Sequence, residues 1–253
     1  MLMQRICRST GLIVVFAMFA WLCLAAGAET HVSEPAENQT GTDRGLIKLD
    51  EKGNVWLDNR DPKKRRVALK AKVVLREGVL EMLCCLKGTK EHESILAVDT
   101  KAYVIHTALV AAGAKPGTPV QFQPEYRPPT GQEVDVFLEW KGEEGKLERM
   151  RAQEWVRDMA TGKAMTSPWV FAGSGFYRDP TTGERYYLAE EGDLICVANF
   201  LSATLDLSAR SSQSSGELMF EPFVERIPKV GTPVTIYLEP VVEKKAPAAK
   251  ASP

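Results

Sequence analysis

The sequence predicts an α+β fold: a single β-rich domain of mostly antiparallel strands that carries one main helix at about residues 99–113. Two observations predict it. Short runs of β-branched and aromatic residues recur between Gly, Pro and Asp turns, the pattern of an antiparallel sheet system. Only one segment combines a helical stripe of apolar residues with a start signal and a stop signal.

Strands are expected at residues 46–49, 55–57, 67–76, 79–86, 95–98, 120–122 and 134–140, and again at 169–171, 185–188, 194–200, 218–225 and 234–238. The run Asp179-Pro180-Thr181-Thr182-Gly183 reads as the turn of a hairpin, and Arg76-Glu77-Gly78 as another. In the helix, Asp99 is the expected cap, Ala102, Ile105, Leu109 and Ala112 share a face, and Gly113 and Pro116 end it. Residues 147–159 fit both periods: Leu147, Met150, Trp155 and Met159 make a helical stripe, while QEWVRD before Thr161-Gly162 favours a strand.

Both ends of the chain differ from its middle. Arg5 and Arg8 precede an unbroken apolar run from Leu12 to Ala25, and Ala26-Gly27-Ala28 supplies small residues at a cleavage point. Residues 1–28 are therefore expected to be a signal peptide, with the mature chain beginning at Glu29. The alternative is an uncleaved membrane tether over residues 11–28. Residues 29–44 are polar and read as a disordered linker, and 243–253, EKKAPAAKASP, as a disordered Lys/Ala/Pro tail. The folded unit expected between them, 45–242, is long enough to bury one core. No later segment is apolar enough to span a membrane, so the cleaved chain is expected in the periplasm or secreted.

Charge narrows the partners. Cleavage removes two of 32 basic residues and no acidic one, which leaves 30 against 33 and a net charge of −3. A mild acidic excess without a basic field argues against nucleic acid as the main partner. The one basic cluster, Lys63-Lys64-Arg65-Arg66, follows Asp61 and Pro62 and reads as a solvated loop.

Candidate chemistry gathers between Gly78 and Gly117, which holds two of the three cysteines (Cys84, Cys85, Cys196) and two of the three histidines (His31, His92, His106) that survive export. The catalytic candidates are His92, Glu93 and Ser94, and the metal-ligand candidates are Cys85, His92 and His106, a set suited to zinc or another transition metal. The spacing is not that of HExxH. His92 reads more readily as a surface histidine beside Glu91 and Glu93, and His106 as a partly buried helix residue. Cys84 and Cys85 are expected on opposite faces of one strand, Cys84 with Met82 and Cys85 with Leu83. They cannot bridge each other easily, because adjacent Cα atoms lie about 3.8 Å apart and a disulfide prefers roughly 4.4 to 6.8 Å. A Cys85–Cys196 disulfide is one reading, buried free thiols another.

Other features are weaker. Neither Ser94 nor Ser174 in AGSGF has a Gly-x-Ser-x-Gly elbow. Gly173-Ser174-Gly175 fits a bend better than an anion nest. Trp140, Trp155, Trp169, Phe171, Phe176, Tyr177, Tyr186 and Tyr187 read as core or cross-strand pairs more readily than as the lining of a carbohydrate or peptide groove. Glu190, Glu191 and Asp193 read as a solvated turn.

The runs KGTKEHESILAVDTKAYVIHTALVAAGAKPGTPV, PPTGQEVDVFLEW, WVFAGSGF and GDLICVANF, in that order, resemble the YdjY-like domain family of exported bacterial proteins. The resemblance covers roughly residues 48–239. It implies export and a single domain, and names no substrate or cofactor. A loose link of some members to iron–sulfur chemistry is not carried over, because an ordinary cluster needs four thiolates. The reading preferred is an exported, non-enzymatic binding or interaction module without a cofactor, whose partner is a protein or a small-molecule ligand. The alternative is a metal- or thiol-dependent site on Cys85, His92 and His106 with redox or hydrolytic activity.

Overall fold

Three long strands in which apolar and polar residues alternate form the centre of the molecule, and their pattern dictates which face is buried. The computed structural model describes residues 45–142, 144–211 and 219–242. The expected leader, linker and tail, and Leu218 at the head of one expected strand, lie outside the described residues.

Along the chain the strands are β1 (Leu46–Lys48), β2 (Val55–Asp58), β3 (Arg66–Val73), β4 (Met82–Leu86) and β5 (Ser94–Val98), followed by helix α1 (Ala102–Ala111). Next come β6 (Glu133–Lys141), β7 (Leu147–Arg151), β8 (Val156–Asp158), β9 (Trp169–Val170) and β10 (Phe176–Arg178). The last are β11 (Arg185–Tyr187), β12 (Asp193–Cys196), β13 (Asp206–Leu207), β14 (Phe220–Pro222) and β15 (Pro233–Pro240).

Eleven strands form one sheet whose main path runs β12-β4-β5-β3-β15-β6-β9-β13, with β1 and β2 laid beside β3 and β7 beside β6. Among the described strands β4 and β5 alone form a parallel ladder. A bridge between Ile195 and Leu205 joins the two ends of the path, so the sheet nearly closes on itself. Val67, Leu69, Val136, Leu138, Ile236 and Leu238 point inward and are buried around Trp155, Trp169 and Phe171. On the outer face the register sets Trp56, Ala68, Tyr237, Phe137 and Arg151 in one row across five strands. Cations cover its rings: Lys70 lies over Trp56, Arg66 over Tyr237 and Arg149 over Phe137.

The α+β class holds, with one main helix and mostly antiparallel strands, and several expected details change. Residues 120–122 form no strand; Gln121 makes a single bridge to Arg127. Arg76-Glu77-Gly78 joins no hairpin, because β5 takes the place beside β3 and leaves β4 parallel to β5. Residues 147–159 resolve into β7, a 3-10 turn at Ala152–Trp155 and β8, which accounts for their mixed period. The Asp179 hairpin forms as expected, and its first strand, β10, is too short to show a pattern.

Helix α1 buries Ala102, Ile105, Ala108 and Leu109. Gly113 ends it at φ +97°, which lets the Ala114 N–H reach Leu109 O at 2.9 Å. Asp99 does not cap it. The N-cap position falls on Lys101, two residues later, and Asp99 pairs with Lys52 at 2.5 Å. Glu190 takes over the role from another element, accepting the Tyr103 N–H at 2.9 Å.

Candidate functional site

Around the β4–β12 edge the sequence places more carboxylates than cations, and the fold buries two of them, Asp193 and Asp206. Asp193 opens β12, a strand buried throughout, and its side chain is 2% exposed. Lys90, just before the 3-10 turn Glu91–Glu93, sets its Nζ 2.8 Å from Asp193 Oδ1 and over the Phe200 ring at 4.9 Å. The Ser202 hydroxyl donates to the other Asp193 oxygen. Asp206, on β13, is fully buried and accepts from Asn199 Nδ2 at 3.0 Å and the Leu207 N–H at 2.8 Å. Asn199 accepts in turn from Tyr126 Oη at 3.1 Å and the Ser211 N–H at 2.8 Å.

Electrostatics follow from burial. Loss of water pushes the Asp206 carboxyl up to about 7 against its three hydrogen bonds. Glu81 is also pushed up to about 7, first by burial and then by the hydrogen bond and like charge of Glu93. Two carboxyls side by side hold one proton between them more easily than two charges. Lys90 works against this by favouring the ionised form of Glu81.

The expected site residues separate. His92 lies outward with its side chain 76% exposed, Nε2 3.7 Å from Glu93 Oε2. Ser94 is fully buried and its hydroxyl donates to Leu96 O at 2.8 Å, so it is no free nucleophile. Glu93 faces Glu81. His106 lies on α1, edge-on to Phe171, with Nδ1 3.0 Å from Tyr187 Oη; burial lowers its pKa. Among the described residues no three His, Cys, Asp or Glu side chains are grouped to hold a metal ion, so Cys85, His92 and His106 do not form a zinc-type set.

Cys84, Cys85 and Cys196 are buried and free. Strands β4 and β12 do neighbour each other, yet the register sets Cys85 opposite Asp193 and Cys196 opposite Met82. The register shifts twice along β12, and strict alternation fails with it. Cys85 packs with Met82, Ala97, Cys196 and Ala203 in a small apolar cluster, while Cys84 joins Leu83 and Leu86 in the main core. Burial raises all three thiols; the Ser94 hydroxyl and the Lys90 N–H partly offset this at Cys85.

Ser174 has the left-handed φ of +58° in Gly173-Ser174-Gly175, and its Oγ accepts the Ala189 N–H at 3.1 Å. The Gly173 N–H is spent on Thr204 O at 3.0 Å. This bend is a closed hydrogen-bonded joint, with its first amide and its hydroxyl already engaged. Of the eight aromatics, Trp140, Trp155, Trp169, Phe171 and Tyr187 are buried, whereas Phe176, Tyr177 and Tyr186 stand out on the β10–β11 hairpin.

Sequence reasoning missed Asp193 and Asp206 as buried groups. Asp193 was expected in a solvated turn with Glu190 and Glu191. The signal available was its place at the head of LICV, a run too apolar to leave its first residue in water. Glu81 sits in an apolar run for the same reason.

Fold and site together define a β-rich α+β domain built around a nearly closed sheet with a buried acidic edge. The profile of the YdjY domain family matches residues 59–239, and the chain belongs to that family. Comparisons with curated proteins and with solved structures gave no match.

Proposed function

We propose that this chain is an exported binding module that works without catalysis and contacts its partner through the β10–β11 hairpin. One observation carries the reading. Phe176, Tyr177 and Tyr186 are 57%, 51% and 48% exposed on a single ribbon, with Tyr177 directly across from Tyr186 and their rings stacked.

Aromatic side chains held on a fixed hairpin offer large contact area at little entropic cost. The hairpin is held at both ends. Asp179 N–H donates to Glu184 O at 2.8 Å at the turn, and Leu188 N–H donates to Gly175 O at 3.0 Å at the base. Unlike the outer-face row, Tyr177 and Tyr186 carry no cation over their rings among the described residues, whereas Phe176 is covered by Arg185. The partner this surface suits is a peptide or small molecule with apolar faces. Export rests on the leader pattern of residues 1–28, with cleavage before Glu29.

The test is an array of peptides and glycans probed with the chain from Glu29 onward, followed by titration of any ligand found. A Tyr177→Ser/Tyr186→Ser double variant is expected to lose about tenfold or more in affinity with its melting temperature unchanged. Equal binding by that variant, or no ligand at all, sinks the reading. Intact mass from the exported fraction tests the cut at Glu29.

A further inference from the structure

A second surface, which does not use the hairpin, lies where two 3-10 turns meet. The turn Ala152–Trp155 packs against the turn Val224–Arg226, and Arg226 ties them by donating to Glu154 O at 3.2 Å and pairing with the Glu154 carboxylate. Beside them opens a groove of ≈ 530 Å³, with Trp140 among the residues that line it. Arg76, from the segment after β3, reaches in and donates from Nη2 to Val224 O at 2.7 Å.

The groove's charge is unbalanced. Leaving Lys229 aside, Arg76, Lys141 and Arg226 line it against Glu148 and Glu225. Arg226 is matched by Glu154, and Glu225 is matched by Arg157. Arg76 has no carboxylate partner among the described residues.

Arg76, which lines the groove, also carries a buried polar atom without a partner, and three more such atoms belong to residues near the two turns. Six buried side-chain atoms among the described residues lack a hydrogen bond, and four of them are Arg76 Nε, Gln153 Oε1, Trp155 Nε1 and Arg157 Nε. Gln153 is 7% exposed and Trp155 fully buried. Trp155 packs edge-on against Trp140 with ring centroids 5.0 Å apart. Buried polar groups in folded proteins usually find partners, and of these four residues Arg76 is the one that a molecule in the groove can reach.

We infer that this groove binds a small monocarboxylate, held by the Arg76 guanidinium with its apolar body against Pro228 and the small exposed part of Trp140. A planar guanidinium with spare donors matches a carboxylate through parallel N–H···O bonds. One unmatched guanidinium calls for one negative charge, and Glu148 and Glu225 on the walls repel a second. This selects a carboxylate over a phosphate dianion.

The experiment is a titration of benzoate into the chain from Glu29 onward, at fixed pH and ionic strength, read by the tryptophan indole NMR resonances. The Trp140 resonance is expected to shift and saturate with a dissociation constant on the order of 1 mM. Arg76→Gln is expected to weaken binding about tenfold or more. Because Arg76 also holds Val224 O, Lys141→Glu is the parallel variant: its side chain is exposed, and reversing its charge is expected to weaken benzoate without changing the melting temperature. A shift that stays linear, phosphate binding as tight as benzoate, or unaltered affinity in both variants overturns the inference.

Discussion

Lys90 Nζ lies 2.8 Å from Asp193 Oδ1, and this one ion pair ties the turn before β5 to the head of β12. The two partners are unequally buried: the Asp193 side chain is 2% exposed and that of Lys90 26%. Breaking a buried pair leaves a charge without compensation, at a cost of about 3–5 kcal/mol. Partial exposure of Lys90 and the remaining Ser202 hydroxyl soften that figure. Lys90→Met is expected to cost about 2–3 kcal/mol in urea unfolding. Asp193→Asn, which removes the buried charge itself, is expected to cost less. Equal losses in the two variants would show that the charge of Asp193 is not what Lys90 offsets.

The stability contributed by Glu81 and Asp206 falls as pH rises from about 4 toward neutrality. Glu81 moves from an ordinary 4.5, and Asp206 from 3.8, up to about 7 on folding. The folded chain then binds more protons than the unfolded chain between about pH 4 and 7, so the contribution is complete below the unfolded values and is lost by about pH 7. His106 and Asp58, whose pKa values folding lowers, have the opposite sign and weaken the protein as pH drops. Glu81→Gln separates the terms, since the amide keeps a donor toward Glu93 at every pH. It is expected to match the parent at pH 4 and to exceed it by about 1–2 kcal/mol at pH 8, the lower value reflecting partial exposure of Glu81. A constant difference across that range would reject the shared-proton reading.

The parts of the fold with a strong period were legible in the sequence, and the parts that depend on long-range pairing were not. Val134, Val136 and Leu138 alternate with Glu133, Asp135 and Glu139, Phe137 being the exception, and announce β6 from sequence alone. Nothing local announces that β5 inserts beside β3, which overturned the expected turn at Arg76. The site divides in the same way. His92 and Glu93 stood out because they are close in sequence, whereas Lys90 meets Asp193 across 103 positions. The β-bulges of β12 are set by its neighbours, so the regrouping of Met82 with Cys85 had no sequence signal.

Buried thiols with raised pKa values react slowly, because the thiolate is the attacking species. Native chain cut before Glu29 is expected to give no rapid labelling by a thiol reagent at pH 8. Unfolding without reductant should expose Cys84, Cys85 and Cys196 together, three thiols per chain. The full chain holds five cysteines, Cys7 and Cys23 being the other two, so the same titration reports whether the leader was removed. A single reactive thiol after unfolding would mean that Cys85 and Cys196, or another pair, had bridged.

Tyr187 joins the helix to the bend at Gly173. Its hydroxyl donates to Gly173 O at 3.2 Å, with His106 Nδ1 at 3.0 Å and Thr204 Oγ1 at 3.3 Å completing its surroundings. The ring is buried, and burial pushes the hydroxyl up to about 12, so it stays neutral at working pH and keeps its proton for donation. Tyr187→Phe preserves the ring packing and removes only this junction, and is expected to cost about 1–2 kcal/mol in urea unfolding with an unchanged denaturant slope. Pairing it with His106→Ala in a double-mutant cycle tests whether the two side chains act together, and the expected coupling is about 0.5–1.5 kcal/mol. Additive losses would show that His106 is held by Phe171 and its surroundings alone, and that the hydroxyl stabilises the bend at Gly173 without it.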